Sequence, residues 1–240
     1  MKRYFLILLL LPGLFAGCDL LQEPSTGISD EEVARGLKEA LRVGTDSSVA
    51  LLNRTDGYFK DEAVKIFLPP EVQQVQQLIE TTVPGANLLL NEVVLKMNRA
   101  AEDAAAEAAP IFKDAITGMS IQDARDILFG SDSAATVYLE TQTRSQLFAA
   151  YSPKVQASLA EVGLPTLWNQ IATPYNQFAN SLPGQLAGAQ PIPDDLSEYV
   201  TNKALDGLFT KVEDKEKDIR YNLNERVTDL LQKVFGLLNK

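Results

Sequence analysis

Residues 87–109 constrain the fold of this chain most, because their apolar side chains recur at helical spacing over about six turns. A stripe of this length predicts an amphipathic helix at the centre of a helical fold. The second half of the stripe is mostly alanine, and such small side chains let neighbouring helices approach closely on more than one side. Pro110 then predicts an interruption of the helix. The stripe consists of Leu90, Val93, Val94, Met97, Ala101, Ala104 and Ala108.

The same helical periodicity continues along most of the chain. Residues 63–68 are an exception, because they alternate weakly and no partner strand is visible, so we expect an extended segment outside any sheet. The sequence therefore predicts an all-α fold, a single multi-helix domain with irregular loops that covers residues 29–240. Three polar pairs have helix-capping spacing and predict helix starts: Ser29 with Glu32, Ser120 with Asp123, and Thr143 with Gln146.

Residues 1–18 have the layout of a bacterial export signal. Lys2 and Arg3 give a positive start, and the apolar run that follows is shorter than the about 20 residues that a membrane span requires. Small residues then precede Cys18, the only cysteine of the chain. This pattern resembles a lipobox, in which a peptidase cuts between Gly17 and Cys18 and the thiol of Cys18 is acylated. We therefore predict a lipoprotein, with a signal peptide at residues 1–17.

Residues 18–28 are predicted to form a short tether whose first residue, Cys18, carries the fatty acyl chains, palmitate among them. The helical domain would then face the periplasm of the cell envelope, close to the membrane. In enteric bacteria an aspartate directly after the acylated cysteine tends to keep a lipoprotein on the inner membrane, and Asp19 matches this sorting signal. We therefore expect attachment to the inner membrane in preference to the outer membrane.

Composition excludes several classes of partner and site. The chain has 22 basic and 32 acidic residues, and an acidic surface repels nucleic acid and anionic lipid headgroups. Membrane contact is therefore expected from the lipid anchor rather than from a basic surface, and nucleic acid is not an expected partner. Histidine is absent and Cys18 is assigned to the lipid, which removes Ser-His-Asp and Cys-His nucleophiles and zinc sites built on thiolate or imidazole. We predict no cofactor, no metal site and no catalytic residue.

Four polar residues are candidates for functional contacts. Asp56 and Tyr58 lie in a predicted turn, where binding residues often occur, although Asp-Gly is also common turn chemistry and the tyrosine can simply cover the core. Arg99 and Glu102 belong to a polar set on the central helix whose carboxylates, three to five residues apart, could face a bundle interior and hold a metal. A solvated face with ion pairs is the favoured alternative, because charges recur there at steps of three and four: Glu92, Lys96, Arg99, Asp103 and Glu107. A metal site of the di-iron kind would need Glu-x-x-His, and the chain has no histidine.

Six strings, in this order and spacing, resemble an uncharacterised bacterial lipoprotein family, the domain of unknown function 4197. The resemblance covers residues 29–236, with departures at I-F-L-P-P (residues 66–70) and at residues 221–225. The family implies a helical exported domain, with no established activity, substrate or cofactor to carry over. The strings are G-L-K-E-A-L-R-V-G-T (residues 36–45), T-D-G-Y (55–58), N-R-A-A-E (98–102), A-A-T-V-Y (134–138), Y-V-T-N-K-A-L-D-G-L-F (199–209) and T-D-L-L-Q-K-V-F-G (228–236).

Three classes of function remain compatible with the sequence. The favoured class is a membrane-tethered helical interaction or structural module of the cell envelope, whose partners are the membrane, through the lipid anchor, and an envelope protein. The second is a carrier or sensor of an apolar ligand held between helices, since helix bundles host such pockets. The third is a carboxylate-based enzyme, which is disfavoured because histidine and a free cysteine are missing.

Overall fold

The computed structural model describes residues 27–239, and the predicted signal peptide, Gly17, Cys18 and Asp19 lie outside this range. The described residues form one helical domain without strands, so the all-α prediction is confirmed. The α-helices are α1 (Asp30–Leu52), α2 (Pro70–Gln74), α3 (Gln76–Thr82), α4 (Ala86–Ala104), α5 (Ala108–Gly118), α6 (Ile121–Leu128), α7 (Ala134–Glu161), α8 (Leu164–Ala179), α9 (Leu182–Leu186), α10 (Ser197–Tyr221) and α11 (Asp229–Phe235).

The long helices α1 and α10 pack against each other in opposite directions. The turn that follows the C-terminal end of α1 contacts the first half of α10. There the hydroxyl of Tyr58 donates a hydrogen bond to the carbonyl oxygen of Ala204 at 2.8 Å. Further back along α1, Gly44 faces Ile219 in the last turns of α10. The 23 residues of α1 span about 34 Å.

Helix α4 lies at the centre, as predicted. Ala100, Ala101 and Ala104 are fully buried, which shows that the alanine-rich part of α4 is surrounded by other helices. The predicted break at Pro110 is wrong in position, because the helix changes to a 3-10 turn at Ala105–Glu107. Pro110 falls instead in the first turn of α5, where the missing N–H has no helical partner to lose.

Helix α7 corrects a second prediction, the helix start at Thr143. The helix is continuous over 28 residues, and the buried hydroxyl of Thr143 donates a hydrogen bond to the carbonyl oxygen of Leu139 at 2.7 Å. The true start is fixed from outside the helix, because the carboxylate of Glu216 in α10 accepts hydrogen bonds from the backbone N–H groups of Ala135 and Thr136 at 3.0 and 2.8 Å. Because Glu216 lies about 80 residues from Ala135 and Thr136 along the chain, this contact leaves no local signal in the sequence.

The irregular segment before α10 lies over the core. The side-chain amide of Asn176 accepts a hydrogen bond from the N–H of Ile192 at 2.9 Å and donates one to its carbonyl oxygen at 3.0 Å. The indole N–H of Trp168 donates to the carbonyl oxygen of Pro193 at 2.8 Å. Within residues 27–239, no helix has both the length and the apolar character needed to cross a bilayer.

Candidate functional site

Residues 53–69 connect α1 to α2 as turns followed by an extended segment, and α4 holds them in place. We call the three α4 side chains that do this, Asn98, Arg99 and Glu102, the α4 clamp. Asn98 and Glu102 lie one helical turn apart, and each hydrogen-bonds to backbone groups of the connection. The clamp therefore fixes a long segment that has no sheet or helix of its own.

Glu102 fixes the turn that follows α1. Its carboxylate accepts hydrogen bonds from the backbone N–H groups of Tyr58 and Phe59, both at 3.2 Å, and from the guanidinium of Arg99 at 2.6 Å. Its own carbonyl oxygen accepts from the side chain of Asn53 at 2.8 Å. Only 4% of Glu102 is exposed, so this carboxylate lies apart from the solvated face predicted for α4.

Glu102 is buried because the turn covers one flank of α4, so its charge meets backbone N–H groups rather than water. The solvated-face prediction holds nearer the start of α4. There Glu92 and Lys96 form an i,i+4 ion pair at 3.2 Å, with half of the Glu92 side chain exposed.

Asp56 and Arg99 connect the turn to the outer edge of the clamp. The guanidinium of Arg99 donates to the Asp56 carboxylate at 2.7 Å, and Lys60 lies 2.7 Å from the same carboxylate. Hydrogen bonds from Lys60 and then from Arg99 lower the pKa of Asp56 below its ordinary value. Asp56 is also the one non-glycine residue with positive φ, 68°, among the described residues, and its ion pairs help to hold that conformation.

Tyr58 is fully buried and belongs to the core. Its ring packs against Gly207 of α10, where an added Cβ would lie 2.7 Å from Tyr58 Cε1. Burial raises the pKa of the Tyr58 hydroxyl well above its usual value, so the group stays protonated and donates its hydrogen bond to Ala204. The alternative in which this tyrosine covers the core is therefore the correct one.

Asn98 holds the extended segment in the way that a neighbouring strand would. Its side-chain Oδ1 accepts from the N–H of Ile66 at 2.9 Å, and its Nδ2 donates to the carbonyl oxygen of the same residue at 2.8 Å. Asn98 is fully buried. The sequence does not predict this role directly, although an alternating segment without a partner strand, together with a polar residue beside an apolar helix stripe, is a usable signal.

The extended segment exposes Phe67 and leaves Lys65 partly buried, while the alternate residues Ile66 and Leu68 point into the core. Phe67 is 46% exposed, and Tyr199 donates a hydrogen bond to its carbonyl oxygen at 3.0 Å. The ammonium of Lys65 lies 5.4 Å from the centre of the Phe67 ring, within the range of a cation–π contact. We call residues 65–67 the Phe67 ridge.

An open groove of about 280 Å³ lies on each side of the Phe67 ridge. The ridge and Gln73 contribute to both grooves, so the two form one surface with an aromatic side chain at its centre. Their remaining lining is mixed, and includes Tyr199, Lys203, Asp206 and Thr210 on one side and Leu68, Gln76, Leu90, Asn91 and Val94 on the other.

The structure brings Asp56, Tyr58, Arg99 and Glu102 together, as neighbouring parts of one hydrogen-bonded network. Because their polar groups bond to one another and to backbone, the network supports the connection and the Phe67 ridge. Among residues 27–239 there is no group of three or more acidic, cysteine or histidine side chains placed to hold a metal ion.

The ion pairs of Asp56 give a pH-dependent prediction. The pKa of Asp56 is lower in the folded chain than its ordinary value of 3.8, so its ion pairs stabilise the fold above that pH and are lost as the pH falls through the folded-state pKa. We expect Asp56→Asn to be less stable than the wild type at pH 7, with a difference that shrinks below about pH 3.8. Asparagine is suitable because it tolerates positive φ.

Denaturant unfolding of both proteins across this pH range measures the effect. Asp46→Asn is the matched control, since Asp46 forms only an exposed pair with Arg42 at 3.8 Å and should change little at either pH. A difference between Asp56→Asn and wild type that persists at low pH would contradict this assignment.

Three of the six strings on which the family resemblance depends meet at this site, since the turn, the clamp and the Gly207 region of α10 contact one another. Searches of the curated proteins and of the solved structures found no match. The model of one family, described as a protein of unknown function (DUF4197), matches residues 27–236. The match covers most of the chain, so the resemblance is confirmed and the chain belongs to the DUF4197 family.

Proposed function

We propose that this chain is a lipid-tethered binding module of the bacterial cell envelope, which captures an envelope protein on the Phe67 ridge. Cleavage between Gly17 and Cys18 and acylation of Cys18 would attach it to the membrane, with Asp19 favouring the inner membrane. The support for the anchor is the lipobox pattern, which combines a basic start, a short apolar run and the only cysteine.

The Phe67 ridge is the observation that carries the binding function. Phe67 is an exposed aromatic side chain surrounded by polar groups. Protein interfaces have a similar arrangement, in which aromatic side chains supply much of the binding energy. Asn98 of the α4 clamp bonds to the backbone of Ile66 within the ridge, and Glu102 bonds to the turn that precedes it. A surface that is already ordered loses less conformational entropy when a partner binds.

The carrier and enzyme alternatives have less support. The apolar crevice between α1 and α10 has a volume of about 20 Å³, enough for about one water molecule, whereas sites for small ligands are about 300 to 1,000 Å³. For the enzyme, the carboxylates of Asp56 and Glu102 are bound to Arg99 and to backbone N–H groups, an arrangement that positions a loop.

The proposal is tested in cells with a photoreactive phenylalanine at Phe67 and, for comparison, at Phe129. Both side chains are about half exposed, at 46% and 54%. We expect a discrete protein adduct at Phe67 that is absent at Phe129. If Phe67 gives no protein adduct, or if the same protein is captured equally at both positions, the ridge is not the binding surface.

The anchor is tested by Cys18→Ser. We expect this variant to lose metabolic fatty-acid label and to leave the membrane fraction, because no thiol remains to be acylated. Asp19→Ser is the control, since it should keep the label and change only the membrane in which the protein is found. Retention of Cys18→Ser in the membrane fraction would contradict the proposed anchor.

A further inference from the structure

One end of the molecule combines the start of α1 with exposed apolar side chains. Asp30, the first residue of α1, forms an ion pair with Arg125 of α6. The same guanidinium lies 5.9 Å from the centre of the Phe129 ring, and Phe129 is 54% exposed. An exposed aromatic ring therefore lies beside the point where the predicted tether joins the folded domain.

The C-terminal end of α10 brings further apolar side chains beside the end of α6, where Phe129 lies. Arg220 donates hydrogen bonds to the carbonyl oxygens of Ile127 and Leu128 at the end of α6, at 2.8 and 3.0 Å. The hydroxyl of Tyr221 donates to the carboxylate of Asp132, in the turn between α6 and α7. The chain then returns through α11 to the first turn of α1.

We call this set of side chains the tether-end rim. Its members are each at least half exposed, and they make up five of the ten large apolar side chains that are exposed among residues 27–239. A concentration of this kind at one end of a helical domain indicates a contact surface. The tether-end rim consists of Phe129, Val137, Tyr221, Leu223 and Val227.

We propose that the tether-end rim rests on the lipid bilayer, an inference that depends on the proposed anchor at Cys18. The ten residues after Cys18 can reach at most about 35 Å when fully extended. Since α1 begins at Asp30, the proposed anchor would keep this end of the domain within about that distance of the lipid surface. Phenylalanine and tyrosine suit the membrane–water interface, because an apolar ring can enter the headgroup region while a hydroxyl stays hydrated.

The charges around the rim favour an apolar contact over an electrostatic one. Several acidic groups that would meet anionic headgroups already have partners. Glu32 pairs with Lys233 at 2.9 Å, and Glu225 lies 3.4 Å from Lys215. Such pairing reduces the local repulsion from headgroups without creating the basic patch that drives electrostatic membrane binding.

This contact also sets the direction in which the Phe67 ridge points. Helix α10 carries Tyr221 at its rim end and Tyr199 at its other end, where Tyr199 bonds to the carbonyl oxygen of Phe67. The rise between these two tyrosines is about 33 Å at 1.5 Å per residue. A domain seated on the rim would therefore hold the ridge away from the bilayer, where an envelope protein can reach it.

The test uses the full acylated protein in vesicles of phosphatidylethanolamine and phosphatidylglycerol, with a photoreactive phenylalanine at Phe129 or at Val227. The matched control carries the same group at Phe67. We expect lipid adducts at both rim positions and none above background at Phe67. Flotation of the same samples reports independently whether the protein is attached to the vesicles.

Attached protein without lipid adducts at Phe129 and Val227 would overturn this inference and leave the anchor intact. Adducts to a second copy of the chain, or lipid adducts at Phe67 as strong as those at the rim, would overturn it as well. If the acylated protein fails to float, the anchor fails and the inference fails with it. Lipid adducts confined to the rim would support both.

Discussion

Glu216→Ala is expected to lower the free energy of unfolding by about 3 to 5 kcal/mol, because it leaves a buried charge without its partner. The guanidinium of Arg220 lies 2.9 Å from the Glu216 carboxylate, and only 3% and 5% of these two side chains are exposed. The substitution also removes the acceptor for the first N–H groups of α7, those of Ala135 and Thr136. Denaturant unfolding followed by circular dichroism measures the loss.

Glu213→Ala is the matched control for this prediction. Glu213 lies on the same helix and pairs with Lys217 at 2.6 Å, but both side chains are more than a third exposed, so its loss should change stability by less than about 1 kcal/mol. Replacing Glu216 and Arg220 together by methionine should recover part of the lost stability, since it removes both buried charges. Equal effects of Glu216→Ala and Glu213→Ala would show that the buried pair does not fix the start of α7.

The parts of the fold that the sequence predicts correctly depend on short separations along the chain. The helix starts at Ser29 and Ser120 are confirmed, because both bonds of each capping box join residues three apart. The central position of α4 is also predictable, since a stripe repeating every turn reports which face is buried. Pro70 and the extended segment after the turn likewise follow from local backbone preferences.

The candidate site was only partly predictable, because its contacts join distant parts of the chain. The residues that form it lie in two separate strings, one in the turn and one in α4, and nothing in either string indicates that Asp56 meets Arg99 across 43 residues. Charge spacing on α4 suggested solvent on one face, whereas Glu102 lies under a turn supplied by another segment. Helical periodicity reports the apolar face reliably, but it cannot distinguish a charge in water from a charge that meets buried backbone N–H groups.

Glu102→Ala is expected to lower the free energy of unfolding by about 2 to 4 kcal/mol and to reduce the protein adduct at Phe67. The N–H groups of Tyr58 and Phe59 would lose their acceptor, and each buried donor left without one costs about 1 to 3 kcal/mol. Because the same carboxylate holds the turn that leads into the extended segment, the ridge would lose part of its support, while Asn98 would still bond to Ile66. Denaturant unfolding is measured on the purified variant, and crosslinking is measured on the same variant expressed in cells.

Two further variants separate the effect on the ridge from a general loss of stability. Glu102→Gln keeps an oxygen that can accept from Tyr58 and Phe59, so we expect it to retain more of the adduct than Glu102→Ala. Glu92→Ala removes an exposed charge from the same helix and should leave both measurements near wild type. If Glu102→Ala is destabilised as expected but still gives the full adduct at Phe67, then partner binding does not depend on the α4 clamp, since a ridge released from its support would otherwise bind less.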